Sequence, residues 1–416
     1  MRELQHKQLA DYADVTMGQS PESDLCNTEG RGLPFLQGSA EFGRRHPESS
    51  IYCHPPLRTA KKEAVLISVR APVGSMNYAD QDYCIGRGLG AFKAKPGLSN
   101  TVFLKHAVEL NSNFLQQRSQ GSTFAAVSTS DVRAVPIPAF DFPVQKKIAI
   151  ILSTIDTAIE QTEALIEKHQ HIKAGLMHDI FTRGVLLNGQ LRPPREQAPG
   201  LYQETAIGWI PREWQYELLD NLAHRGSGHT PNKDHPEYWN GGIKWVSLAD
   251  SNKLDQLYIS DTELEISHKG IMNSSAVLHP AGIVVLSRDA GVGKSAITTE
   301  PMAVSQHFMC WKCDQKMDNH FLYYWLQFNK RTFENIAMGS TILTIGLPYF
   351  KRLKIACPVD PVEQQAIAKK LKSADTRIFA MQDHLSKLRQ QKLGLMQDLL
   401  TGKVAVTMDA PLKEHA

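Results

Sequence analysis

Two long stretches of the chain carry apolar residues at alternating steps of four and three. In the first the positions are Ile148, Leu152, Ile155, Ile159, Thr162, Ile166, His169, Lys173, Leu176 and Ile180. In the second they are Ile367, Leu371, Ala374, Ile378, Met381, Leu385, Leu388, Lys392, Leu395 and Leu399. A 3.5-residue period held over about five heptads, with charged residues between, predicts a coiled-coil seam. Each helix is then about 37 residues long, roughly 55 Å at ~1.5 Å per residue. Both seams place a lysine, Lys173 or Lys392, where an apolar group belongs, either to fix register and direction or to reach out to solvent.

The two stretches are copies at one constant offset. GLMHDIFTRG at Gly175 answers GLMQDLLTGK at Gly394, and upstream Gln145, Ile148, Ala149, Leu152 and Asp156 match Gln364, Ile367, Ala368, Leu371 and Asp375. The segments before the helices repeat more faintly. Gly18-Gln19-Ser20-Pro21 answers Gly228-His229-Thr230-Pro231, and Gly32-Leu33-Pro34-Phe35 answers Gly242-Ile243-Lys244-Trp245. EAVLISVRAPVGS, from Glu63, answers GIVVLSRDAGVGKS, from Gly282, and Gly121-Ser122-Thr123 answers Gly339-Ser340-Thr341. Short β-branched runs such as AVLISV, GAFKA and GIVVLS predict strands, while HFLYYWLQFNKRTFENIA predicts a helix. The expected class is therefore α+β. Two globular mixed domains, residues 1–143 and 208–360, alternate with helices at 144–183 and 361–403; a proline-rich linker spans 184–207, and 404–416 is a tail.

Composition narrows the function classes. At 416 residues with 42% hydrophobic and 21% charged residues, the chain has room for two folded cores and shows no low-complexity tract. No apolar run is long enough for a membrane helix, and the first residues lack a signal peptide's apolar centre, so a cytoplasmic location is expected. The net charge of +3 is compatible with nucleic-acid binding but does not argue for it.

Several motifs tempt and fail. Gly291-Val292-Gly293-Lys294-Ser295 lacks the first glycine of a phosphate loop, its place being taken by Arg288. Gly86-Arg87-Gly88-Leu89-Gly90 lacks dinucleotide-loop spacing and reads as a turn. Cys310-Trp311-Lys312-Cys313 has no second ligand pair, so no metal is expected. Asp314-Gln315-Lys316 lacks the upstream carboxylate of a nuclease, and no Asn-Pro-Pro-aromatic or Asp-Pro-Pro-aromatic segment exists to hold a flipped base. No catalytic residue is predicted.

This double series of motifs, with Gly32-Leu33-Pro34-Phe35-Leu36-Gln37-Gly38, Tyr238-Trp239-Asn240-Gly241-Gly242-Ile243 and the two GLM phrases, closely resembles the specificity subunits of type I restriction-modification systems, over about Asp14 to Lys403. The resemblance implies a non-catalytic subunit that recognises double-stranded DNA, each domain reading one half of a bipartite target. The helices, paired antiparallel and relating the domains by a pseudo-two-fold axis, would set the spacing and dock two methyltransferase subunits, with restriction subunits joining. It implies no cofactor in this chain and S-adenosylmethionine in the methyltransferase partner. One departure is local: the first helix is entered through FDFPVQKK, where the family more often has Pro-Glu-Gln-Gln, closer to Val362-Glu363-Gln364-Gln365. Arg44, Arg45, Arg70, Arg87, Arg288 and Lys294, beside glycine turns or in polar loops, are the DNA-contact candidates, through phosphate or guanine. The alternative is a coiled-coil scaffold whose globular ends bind proteins.

Overall fold

The computed structural model describes residues 4–119, 126–337 and 343–406. It divides into two compact units, one of Met1–Ile166 with Met381–Ala416 and one of Glu167–Ala380.

In the first unit a four-stranded antiparallel sheet runs in the order Ala13–Met17, Leu89–Ala94, Val65–Ser68, Met76–Tyr78. Val65–Ser68 is apolar almost throughout because both its faces are covered. Val65 and Ile67 join a core with Phe92, Phe103, Leu104, Ala107 and Val108, whereas Leu66 joins another with Leu36, Tyr83, Ile85 and Ala91. Alternate residues serve opposite faces, as the two-residue strand period dictates. A second sheet carries Leu33–Leu36 parallel to Tyr83–Ile85. Helix Thr101–Leu110 starts at Asn100, whose side chain accepts from the Phe103 N–H at 3.0 Å.

The second unit repeats this frame. Its sheet runs Ala223–Ser227, Phe308–Cys313, Val284–Ser287, Ser295–Thr298, with Tyr258–Ile259 added at the edge. Trp239–Val246 lies parallel to Ala303–Val304. Helix Asn319–Phe328 is capped by Asp318, which accepts from the Phe321 N–H at 2.9 Å. The predicted strands stand where the sequence put them, whereas the predicted single helix over 320–337 is broken at Asn329 into Asn319–Phe328 and Lys330–Ile336.

The long helices are Phe142–Arg183 and Pro361–Leu400, which we term central and distal. Gly184 and Gly402, both left-handed, follow their ends. Each unit takes the start of one helix and the end of the other. In the first unit Ile148 and Leu152 share a core with Met396 and Leu399, while Lys392 reaches Asp156 at 2.9 Å and Arg389 reaches Glu163 at 2.7 Å. Partner numbers fall on one helix as they rise on the other, so the segments are antiparallel. In the second unit Leu176 and Ile180 pack with Ile367 and Leu371, and Lys173 meets Asp375 at 2.5 Å. The seam is driest where a globular core covers it: Ile148, Leu152, Ile180, Ile367 and Leu371 are fully buried. Ile155, Ile166, Ile378 and Leu399 are buried too, whereas Ile159, Leu176, Met381, Leu385, Leu388 and Leu395 are only partly covered, as expected for residues sealed by a single partner helix.

The 184–207 stretch, expected as a linker from its prolines, is ordered. Val185 bridges to Leu191, and Tyr202–Thr205 forms a hairpin with Gly208–Pro211. Its anchor is Arg192, only 3% exposed, whose guanidinium donates to Glu363 at 2.5 and 2.8 Å and also meets Glu213. Glu363 further accepts from Trp214 Nε1 at 3.0 Å and the Val185 N–H at 2.9 Å. Four donors converge on one buried carboxylate, which is how a buried charge becomes tolerable.

Candidate nucleic-acid interface

Backbone hydrogen bonds gather the repeated motifs at one end of each central sheet. In the first domain Gly18 donates to Leu89 O at 2.9 Å, Val69 to Gly88 O at 3.0 Å, and Val127 to Val69 O at 2.9 Å. The Gly-x-Ser-Pro loop, the turn after Val65–Ser68 and the Gly86-Arg87-Gly88 turn thus lie side by side. The Gly121-Ser122-Thr123 motif falls outside the described residues, but Ala126, just after it, bridges to Arg70. Ser20 Oγ accepts from the Arg87 N–H at 3.3 Å and lies 3.3 Å from Gln37 Nε2. The glycines flanking Arg87 are needed for close packing: a Cβ at Gly86 lands 2.9 Å from Gln37 Oε1, and one at Gly88 lands 2.6 Å from Gln37 O.

In the second domain the same loops meet through side chains. His307 Nδ1 is 2.8 Å from Asp289 Oδ2, Thr344 Oγ1 donates to Asp289, and Thr230 Oγ1 donates to Gln306. Gly339-Ser340-Thr341 is likewise outside the described residues. Thr344, shortly after it, bridges to Asp289 as Ala126 does to Arg70.

These bonds correct the register between copies. Ser68 N–H donates to Ser75 O and Gly74 N–H to Ser68 O; Ser287 N–H donates to Lys294 O and Gly293 N–H to Ser287 O. Ser68 therefore matches Ser287, Val69 matches Arg288, and Arg70 matches Asp289. The two arginines that end similar strands in sequence are one residue out of step, and one residue turns a side chain to the other face.

The six candidates consequently separate. Arg70 and Arg87 are exposed on the first loop face. Arg288 occupies the inward position, with its side chain 19% exposed and Nε 3.5 Å from Asp289. Lys294 turns back to Ser251, donating to its carbonyl at 2.9 Å and its hydroxyl at 3.1 Å. Arg45 lies beside the central helix, 4.0 Å from Glu160, in a cavity of about 650 Å³ that also includes Tyr78 and Asp156; Arg44 is exposed next to it. Gln37, Asp289, Gln306 and His307 also belong to these faces and are not among the sequence candidates. The only signal for them was their place near repeated glycine motifs.

The helix side is electrostatically busier. Lys392 Nζ lies 2.8 Å from Glu109 and 2.9 Å from Asp156, and Lys105 lies 3.6 and 3.5 Å from the same two carboxylates. Burial alone raises a carboxyl's pKa, but the hydrogen bond from His106 and the ammoniums of Lys105 and Lys392 hold Glu109 far below its ordinary value. Burial, aided by Asp156 and Glu109, raises Tyr78. The second unit has the simpler pairing of Lys173 with Asp375, which also accepts from Tyr324 Oη at 2.8 Å. Both seam lysines are ion-paired.

Among the described residues no helix is long and apolar enough to cross a membrane. A family model described as the type I restriction modification DNA specificity domain matches residues 1–168 and again 211–390. The putative type I restriction enzyme MjaX specificity subunit of Methanocaldococcus jannaschii is 36% identical over 181 residues, 44% of this chain and 41% of that protein. The MjaVIII specificity subunit of the same organism is 24% identical over 322 residues, 75% of this chain and 72% of that protein. Among solved structures, the S subunit of a type I restriction-modification system from M. genitalium shares the fold, with a TM-score of 0.60 at 14% identity, covering 96% of this chain and 97% of that one.

Proposed function

The chain belongs to the type I restriction-modification DNA specificity family, and on that premise we propose that it is the subunit that reads a bipartite DNA target, one half per domain. The observation that carries this reading is a duplicated frame whose loop faces differ: on the same sheet order, capped helix and long-helix junction, the exposed Arg70 and Arg87 of one copy are replaced in the other by the buried Asp289 and the exposed Gln306. A frame repeated with unlike side chains at one loop face suits two readers of unlike base sequences.

The antiparallel pairing inside each unit supports a spacer role for the long helices, which also offer surface for two methyltransferase subunits; restriction subunits join that assembly. This chain's part is recognition. Methylation of an adenine swung out of the stack falls to the methyltransferase subunits, with S-adenosylmethionine bound there.

The test is methylation mapping with the full chain and its methyltransferase subunits. Two short sequence blocks at a fixed gap are expected, with binding that falls steeply as salt rises. Deleting one heptad from both helices removes about 10 Å of rise and is expected to shorten the preferred gap by roughly three base pairs. An unchanged gap rejects the spacer role; binding insensitive to salt rejects DNA recognition in favour of a protein scaffold.

A further inference from the structure

We infer that Arg70 and Arg87 set the base preference of the first half-site by donating to guanine, and that the second domain reads its half-site without an arginine–guanine fork. This deepens the DNA-reading role proposed above and rests on it.

Three observations converge. First, both arginines are exposed, and among the described residues neither guanidinium has a carboxylate or hydrogen-bond acceptor. In the second domain, by contrast, Arg288 lies 3.5 Å from Asp289, Lys294 donates to Ser251, and Lys330 pairs with Asp255. Second, the backbones that carry them are pinned. Arg87 sits between two glycines pressed against Gln37, its own N–H donates to Ser20, and Gly86 donates to Leu36 O at 2.8 Å. Arg70 is bridged to Ala126, and its carbonyl accepts from Ser68 Oγ at 2.7 Å. A phosphate is gripped adequately by a lysine or arginine on a loose tether. Reading a base edge requires the fork to arrive in a fixed place, because guanine O6 and N7 accept two parallel bonds only in one plane. Third, the two residues are neighbours, since Val69 N–H donates to Gly88 O and brings the start of one turn against the end of the other.

The second domain keeps these backbone bonds and changes the side chains. Asp289 stands where Arg70 does and is 8% exposed, held by His307 and Thr344. Gln306 stands where Arg87 does and His307 where Gly88 does. An amide and an imidazole offer mixed donors and acceptors in place of a guanidinium's donors, so the two half-sites differ in the base edges they present.

The experiment uses the full chain assembled with its methyltransferase subunits, selecting bound duplexes from a random pool and mapping methylated sites. The expected result is a half-site containing guanine whose preference is relaxed by about 5- to 150-fold in Arg87→Ala or Arg70→Ala, the span of one good bidentate base contact. Arg87→Lys fails to restore it because an ammonium cannot make the fork. The other half-site stays unchanged in these variants and shifts only with Gln306→Ala. Loss of affinity spread evenly over all sequences, with the guanine preference intact, makes the arginines phosphate contacts and overturns the inference; so does a first half-site without guanine. Failure of the unaltered complex to select any split site overturns the DNA-reading role itself, a result distinct from the other two.

Discussion

Where each long helix leaves its domain, the two junctions share one residue and differ at its neighbour. Gln145 and Gln364 are both fully buried. Gln145 Oε1 accepts from the Asn100 N–H at 3.2 Å and Ser99 Oγ at 2.8 Å, while its amide donates to Phe140 O at 2.8 Å. Gln364 Oε1 accepts from the Asp318 N–H at 2.8 Å, and its amide donates to Lys316 O and Pro358 O at 3.0 and 2.9 Å. One side chain ties the start of the capped domain helix to the base of the long helix in both copies, through the N–H of the capping residue, Asn100 or Asp318, and a carbonyl just before the long helix, Phe140 or Pro358. The preceding residue is Val144 in one and Glu363 in the other. Glu363 serves Arg192 and Val185, in a segment that only the second domain receives from a preceding helix. Contacts that build the frame are duplicated; contacts that serve a local neighbour are not.

The largest break in this comparison comes from Glu363. Replacing it with Ala leaves Arg192 buried against only the exposed Glu213, and leaves the Trp214 and Val185 donors without their acceptor. Removing one partner of a buried pair costs about 3–5 kcal/mol, and Glu363→Ala is expected in that range by chemical denaturation. Val144→Ala, at the matching position, loses a partly buried aliphatic side chain and is expected to cost about 1 kcal/mol. Equal losses at the two positions would mean that the carboxylate does not anchor the segment after the central helix.

The seam lysines sharpen the contrast at smaller scale. Lys392→Met strands Glu109 and Asp156 beside each other with Lys105 as their remaining cation; a cost of about 2–3 kcal/mol is expected. Lys173→Met strands Asp375 alone, still hydrogen-bonded to Tyr324, and about 1 kcal/mol is expected. Thermal or denaturant midpoints of the two variants, measured side by side, check the order. If Lys173 proves the costlier, the charge cluster around Glu109 is not what makes the first unit depend on its lysine.

What the sequence made legible follows from range. The 3.5-residue seam and the strand runs are local patterns and were readable directly. Gln145 and Gln364 were visible as a match, but not as clamps, because their partners come from other elements. The role of Arg192 is hidden for the same reason: its acceptor Glu363 lies 171 residues away, and the prolines nearby mark only a linker. Arg70 and Arg288 looked equivalent because a slip of one residue leaves no trace in composition; only the paired hydrogen bonds of the two turns reveal it. Arg44 and Arg45 read as polar-loop residues, while their position beside the central helix depends on how that loop folds back.

The smallest predicted effect concerns pH and the first unit's polar cluster. His106 is fully buried, with Nδ1 3.3 Å from Glu109 and Nε2 3.6 Å from Asp156; Lys105 and Lys392 also face the cluster. Burial lowers its pKa below 6.5, outweighing the hydrogen bond with Glu109. Its proton is therefore held more weakly in the folded chain than in the unfolded one, and stability falls as pH drops below 6.5 toward the folded value. Glu109, depressed in the fold, contributes stability that is present above the unfolded value of 4.5 and lost as pH falls further. His279 and His320, both lowered by burial, add the second unit's share to the first decline. His106→Gln, which cannot take up a proton, is expected to shrink the drop in midpoint between pH 7.5 and 5.5, while Lys105 and Lys392, which also hold Glu109 down, keep part of the decline below pH 4.5 in place. An identical drop in variant and parent would show that the imidazole gains its proton as readily in the folded chain as in the unfolded one.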